Sequence, residues 1–290
     1  MSQILPAAVS ILFHGLAYAM ILYVVSVGLA VTMGLMGFAN LAHGVFAMAG
    51  GYLTVHLMHG LGLPFMLALL VAVAAVALAS VVLERLLYSR LYAAGELEQV
   101  LFSIGLVFMS IAAAKFIWGP SAQHLLLPEV LRGEIDLLGR NVPTYRCFII
   151  LLGGAIAFGL WAGIERTRFG AQIRAAVDNR GMARSLGINT NLLFRCTFAL
   201  GSGLAALGGG VGAEILAIHP GYAIEHLVYF LIVVAVGGMR SVHGSFVAAL
   251  LLGVSDTACK YLLPEIGAFF IYAAVFGLLL WRPTGLFGRA

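Results

Sequence analysis

Nine apolar runs, near positions 12–33, 41–58, 64–84, 98–118, 145–164, 192–216, 225–238, 245–262 and 266–281, leave little polar chain between them. A bilayer-spanning helix needs roughly 20 apolar residues, and most of these runs approach that length. Lipid cannot satisfy an open backbone, and barrel strands would alternate in polarity, so helices are the one class these runs permit. Composition agrees: 62% of the 290 residues are hydrophobic, 10% are charged, and the mean hydropathy is +1.05. A soluble domain carries about 25% charged residues. The reading is an all-α polytopic membrane protein, a single transmembrane domain over 1–290. Eight or nine crossings are expected, some broken or re-entrant at glycines. The first run follows "MSQ" with no basic residue ahead of it, so it is expected to be retained rather than cleaved as a signal.

The net charge of +4 would suggest nucleic acid in a soluble protein. Here it sits in loops and orients the chain, so no nucleic-acid partner is expected. Loop 165–195 holds Arg166, Arg168, Arg174, Arg180, Arg184 and Arg195 against Glu165 and Asp178, a balance of +4. Loop 119–144 holds Arg132 and Arg140 against Glu129, Glu134 and Asp136, a balance of −1. The positive-inside rule makes the first cytoplasmic and the second extracytoplasmic. Pro120, Pro128, Gly133, Gly139 and Pro143 give the second loop turn chemistry rather than a folded domain.

The stretch "RTRFGAQIRAAVDNRGMARSLGINTNLLFR" (166–195) is a polar island in this apolar chain. Phe169, Ile173, Ala176 and Val177 share one helical face. Arg174 and Asp178, spaced i,i+4, are expected to pair on another. Gly181 interrupts, and Gly187 is placed to end a second short turn. Such an element lies along the membrane surface, either as a lipid anchor or as a docking element for a cytoplasmic partner.

"GFANLAHGVFAMAGGY" (37–52), "ERLLYSRL" (84–91), "RTRFGAQIRAAVDNRGMARSLGIN" (166–189), "GGMRSVHGS" (237–245) and "RPTGLFGR" (282–289) resemble permease subunits of branched-chain amino acid-type ABC importers. They occur in that family's order and over nearly the whole length. The resemblance implies that the island is similar to the family's coupling loop. Gly170, Arg174, Ala175, Asp178, Ala183, Leu186, Gly187, Ile188 and Asn189 fall on its recurring positions. It further implies a second, homologous or identical permease, two cytoplasmic ATPase subunits binding ATP and Mg, and a periplasmic solute-binding protein. The setting would be a bacterial inner membrane. The family usually has Lys at Val228 and Pro at His243, and these departures loosen the assignment of an amino acid as solute. Relatives handle branched-chain amino acids, amides, urea and other carboxylates.

Other groups stand out less. Asn40 and His43 lie between glycine-rich segments, with Gly34 and Gly37 ahead of them. Asn40 is placed to cap the next helix, and both residues are candidates for a solute pathway. Glu214, at a helix edge, is the third. Gly201, Ala205, Gly209 and Ala213 recur every fourth position, a stripe for tight helix contact. Asp256 and Lys260, at i,i+4, can neutralise each other in an apolar helix and are a further candidate for the pathway. His219, Glu225 and His226 match no helical ligand spacing, so no metal is expected. Cys147, Cys196 and Cys259 read as apolar packing residues. The absence of HExxH, GxSxG and GxxxxGK[ST] argues against hydrolytic chemistry and ATP binding by this chain. A passive channel for a small neutral solute such as urea is the rival reading, and it would have no use for the island.

Overall fold

The structure, a computed structural model, describes residues 4–36, 40–92, 94–137, 140–238 and 241–288. Gly37, Gly139, Arg240 and Arg289 lie outside the described residues. All nine apolar runs are helical. They are α1 (Ile4–Met36), α2 (His43–Leu61), α3 (Phe65–Leu83), α5 (Glu96–Trp118), α6 (Thr144–Glu165), α9 (Thr190–Gly212), the pair α10 (Tyr222–Glu225) and α11 (Leu227–Gly237), α12 (Val242–Leu262) and α13 (Pro264–Trp281). α3 continues through a widened π-helical turn, Glu84–Tyr88, into the short α4 (Ser89–Leu91). The island forms α7 (Arg168–Asp178) and α8 (Arg180–Ser185).

Six helical stretches are long and apolar enough to cross a membrane: Ala7–Gly34, Phe65–Leu91, Glu96–Trp118, Thr144–Glu165, Thr190–Gly212 and Val242–Leu262. Two shorter apolar stretches, Tyr222–Gly237 and Phe269–Trp281, accompany them. The run at 225–238 is therefore no full helix. The 11 residues of α11 rise only about 17 Å against a hydrocarbon core of about 30 Å. Its break from α10 falls at His226, and the irregular backbone expected at Gly34 and Gly37 lies partly outside the described residues. The loop 119–144 departs from pure turn chemistry. β1 (Glu134–Leu137) and β2 (Arg140–Pro143) pair antiparallel, with Glu134 opposite Pro143. Gln123 bridges to Ile218, tying this loop to the segment that follows α9.

The core forms where α1, α2, α9 and α12 meet, and small residues set how closely. A Cβ on Gly28 would stand 2.4 Å from the Gly201 carbonyl oxygen, and one on Gly50 2.2 Å from that of Ala206. Side chains larger than hydrogen would push these backbones apart. Without a hydrophobic force between helices in lipid, such close packing supplies much of the association. Around the contacts pack fully buried aromatics, with Phe46 edge-on to Phe198 at 5.7 Å and Tyr88 tilted over Phe198 at 4.8 Å.

Candidate functional site

Local chemistry builds the island into a helical hairpin. Thr167 caps α7, its hydroxyl accepting from the Gly170 N–H at 3.3 Å. Asn179 ends α7 and caps α8, accepting from the Met182 N–H at 2.9 Å, and Asn189 caps α9 by accepting from Leu192 at 3.1 Å. Each cap is worth about 1 kcal/mol. α8 closes at Gly187, whose φ is +84°. Its N–H donates to the Arg184 carbonyl at 2.9 Å, and the Ile188 N–H donates to that of Ala183 at 3.0 Å, the double bond pattern of a Schellman stop.

Packing then separates the island's residues into two groups. Gly170, Ile173, Ala176 and Ala183 are buried, and with Leu193 and Phe194 the apolar ones form a small core of their own. Gly170 lies against the Ile164 carbonyl, where a Cβ would collide with backbone at 1.8 Å. Arg174, Asp178, Leu186, Gly187 and Asn189 are exposed, while Ala175 and Ile188 are half-buried. Two of the positions read as docking contacts, Gly170 and Ala183, are therefore buried, Gly170 against the end of α6 and Ala183 in the small core that the hairpin forms with α9. The expected Arg174–Asp178 pair is also corrected: Arg174 reaches back to donate to the Ile164 carbonyl. That bond tethers α7 to the end of α6, and a backbone acceptor fixed in place outcompetes a mobile exposed carboxylate. Phe169, expected on the buried face, is 37% exposed.

The hairpin is anchored to the bundle by a cluster that sequence reasoning missed. Glu84 in the π turn is buried, lies 3.3 Å from Arg195 Nε on α9, and accepts from the Tyr92 hydroxyl at 2.8 Å. Burial first, and then this bond to Glu84, raise the Tyr92 pKa, so the phenol stays a donor. The Arg180 guanidinium at the head of α8 stacks 4.6 Å over Phe194, and burial lowers its pKa without discharging it. Arg180 and Arg184 both donate to Asn191, at 3.3 and 3.1 Å. A lone carboxylate ending the apolar run at 84 was the available signal. Its partners lie 8 and 111 positions away, beyond any local spacing rule.

From the same π turn, the Tyr88 hydroxyl donates to Asn40 Oδ1 at 3.1 Å. That oxygen also accepts from the Ala42 N–H at 3.1 Å, one residue short of α2, so Asn40 makes a turn ahead of the helix instead of capping it. His43 is fully buried, and its Nε2 lies 3.0 Å from the Val25 carbonyl. A carbonyl only accepts, so this nitrogen carries the proton.

Glu214 is not brought to them. It is exposed in the turn after α9, in electrostatic reach of Tyr145 and Arg146 at the end that carries loop 119–144. The three pathway candidates thus occupy two separate places. The stripe packs tightly: Gly201 meets Gly28 of α1 and Gly209 meets Ala47 of α2, while Ala205 and Ala213 are fully buried. His219 pairs with Glu225 at 3.0 Å, and His226 lies with its Nδ1 3.2 Å from the Tyr222 carbonyl. His243 lies 3.3 Å from Glu165, joining the ends of α6 and α12, and Val228 is half-exposed on α11. Cys196 is exposed, contrary to its reading as a packing residue, whereas Cys147 and Cys259 are intermediate.

Long apolar helices, a small-residue seam, a discontinuous helix and an amphipathic hairpin beside the spans together define a multi-pass α-helical membrane protein. Residues 11–279 match the family described as branched-chain amino acid transport system / permease component, and the chain belongs to that family. It is similar to the high-affinity branched-chain amino acid transport system permease protein BraD of Pseudomonas aeruginosa, at 27% identity over 96% of this chain and 95% of that one. LivH of Escherichia coli K12, named as a permease of the same kind, is 24% identical over 96% and 94%. A probable LivH of Methanocaldococcus jannaschii is 23% identical over 94% and 89%. Among solved structures, PsaBC from Streptococcus pneumoniae in complex with Fab shares the fold, with a TM-score of 0.53 at 13% identity over 92% of this chain and 89% of that one.

Proposed function

We propose that this permease is one membrane half of a bacterial inner-membrane ABC importer for a branched-chain amino acid or a related small polar or carboxylate solute. It works with a second, homologous permease, two cytoplasmic ATPase subunits that bind ATP and Mg, and a periplasmic solute-binding protein. This chain supplies the pathway and the coupling surface. The names of the relatives support the solute class. The observation that carries the coupling reading is the α7–α8 hairpin, a capped and separately packed unit bound to α9, where Arg180 and Arg184 donate to Asn191 and Arg180 stacks over Phe194, and through α9 to the π turn after α3 by the Arg195–Glu84 pair. A displacement imposed on its exposed face by a motor is passed into those helices, because the buried face gives it no freedom to slide. ATP-driven closure of the motors would then bias the bundle between two states in proportion to its differential contact with each.

The test is co-purification of the ATPase subunits together with uptake of radiolabelled leucine in the assembled system. Leu186→Asp and Gly187→Trp both alter the exposed end of α8, and each is expected to reduce ATPase association and uptake together while the permease still inserts. A lipid anchor would tolerate Trp and would instead suffer from neutralising Arg168, Arg174 and Arg184. Full uptake and association in both variants, with loss on neutralisation, overturns the coupling reading.

A further inference from the structure

Asp256 is 1% exposed in the middle of an apolar helix, a costly place for a carboxylate. Its Oδ2 accepts from Lys260 Nζ at 2.6 Å, one turn on, but Oδ1 has no hydrogen-bond partner. An ionised carboxylate has about four acceptor positions, so one ammonium leaves it under-satisfied. Lys260 in turn is 47% exposed, with its other two protons unassigned to any acceptor among the described residues.

The surroundings are polar and aromatic. Gly253 packs against Ala19 and Gly15 against Val254, bringing α1 and α12 so close that Tyr18 sits beside the pair. Lys260 Nζ lies 5.8 Å from the Tyr18 ring centroid. Tyr18 is in electrostatic reach of Asp256, Tyr222, Tyr229 and Tyr272, and the Tyr229 and Tyr272 rings are 6.1 Å apart. The Tyr222 hydroxyl is fully buried and also lacks a partner. His226 stacks on Tyr222 at 4.3 Å, at the break between α10 and α11. Discontinuous helices are where membrane transporters form solute sites, since their ends expose backbone and let polar side chains converge.

We propose that Asp256 and Lys260, with Tyr18 and Tyr222, form a subsite for a small zwitterion, an α-amino acid. Its ammonium group takes Asp256 Oδ1, its carboxylate takes the free N–H groups of Lys260, and its aliphatic body lies against the tyrosine rings. The intrahelical pair holds the two charged groups 2.6 Å apart when no solute is bound. A zwitterion brings one charge of each sign, so the site stays neutral when filled, which a lone cation or anion does not achieve. This rests on the permease reading above and narrows its solute to molecules carrying both charges.

The experiment is direct binding of tritiated leucine to the assembled complex in nanodiscs without the binding protein, with competition by leucinamide and 4-methylpentanoate. Those probes lack the carboxylate and the ammonium respectively. Asp256→Asn is expected to weaken leucine by about tenfold or more while sparing 4-methylpentanoate. Lys260→Gln is expected to weaken leucine similarly while sparing leucinamide. This crossed pattern separates a subsite from a merely structural pair, for which both variants would alter all three probes alike or none. Either of those results overturns the subsite while leaving the permease reading intact. If the native complex neither binds nor imports leucine, the amino-acid solute and the subsite fall together.

Discussion

Two glycines of the hairpin look alike in sequence and differ in what holds them there. Gly170 has no room: a methyl group would enter the Ile164 carbonyl. Gly187 has open space around it and a left-handed backbone, so its constraint is torsional. Gly170→Ala is expected to cost about 1–3 kcal/mol through overpacking and to loosen α7 from α6. Gly187→Ala should cost about 1–2 kcal/mol from the left-handed strain alone and keep α7 seated. Hydrogen exchange of the purified permease separates them: faster exchange over 168–178 in the first variant, and only over 183–188 in the second. Equal patterns in the two would show that the α6 contact does not hold α7.

At the scale of elements, the hairpin's two faces lead to an expectation opposite to the one composition suggests. Ala183, a docking position implied by the family resemblance, is 1% exposed, whereas Met182 and Leu186 are 65% and 75% exposed. An exposed apolar pair at i,i+4 beside a basic helix is what a groove on a partner can cover. In a background without Cys147, Cys196 and Cys259, cysteine at Met182 or Leu186 is expected to react rapidly with maleimide in the isolated permease and to be protected on adding the ATPase subunits. Cysteine at Ala183 should react slowly in both. Rapid labelling at 183 would show that α8 turns its other face outward.

For the whole molecule, side-chain and backbone contacts group the two ends of the bundle. Glu84, Arg195 and the hairpin gather at one end, while loop 119–144 joins the α9–α10 segment at the other through Gln123 and Ile218. From the charge balance, the first end is expected to face the cytoplasm. In intact cells, an impermeant thiol reagent added outside should label cysteine placed at Glu134 and spare cysteine placed at Arg180. The reverse pattern would invert the topology, and with it the side from which solute meets Asp256 and Lys260.

The sequence by itself determined the class of fold, the nine helical regions and the hairpin with its glycine stop. These follow from terms that are local in the chain: apolar run length, capping residues, and the free torsion of Gly187. The family resemblance was legible in motifs for the same reason. Tertiary structure alone decided which of those residues face inward. Arg174 chose the Ile164 carbonyl over Asp178, Ala183 turned into a core, and Glu214 stayed away from Asn40 and His43. It also joined Glu84 to Arg195 and set Tyr18 beside Asp256. Each outcome depends on which of several chemically adequate partners the packed helices bring within interaction distance. That distance is a property of the whole bundle's packing, and no spacing along the chain encodes it.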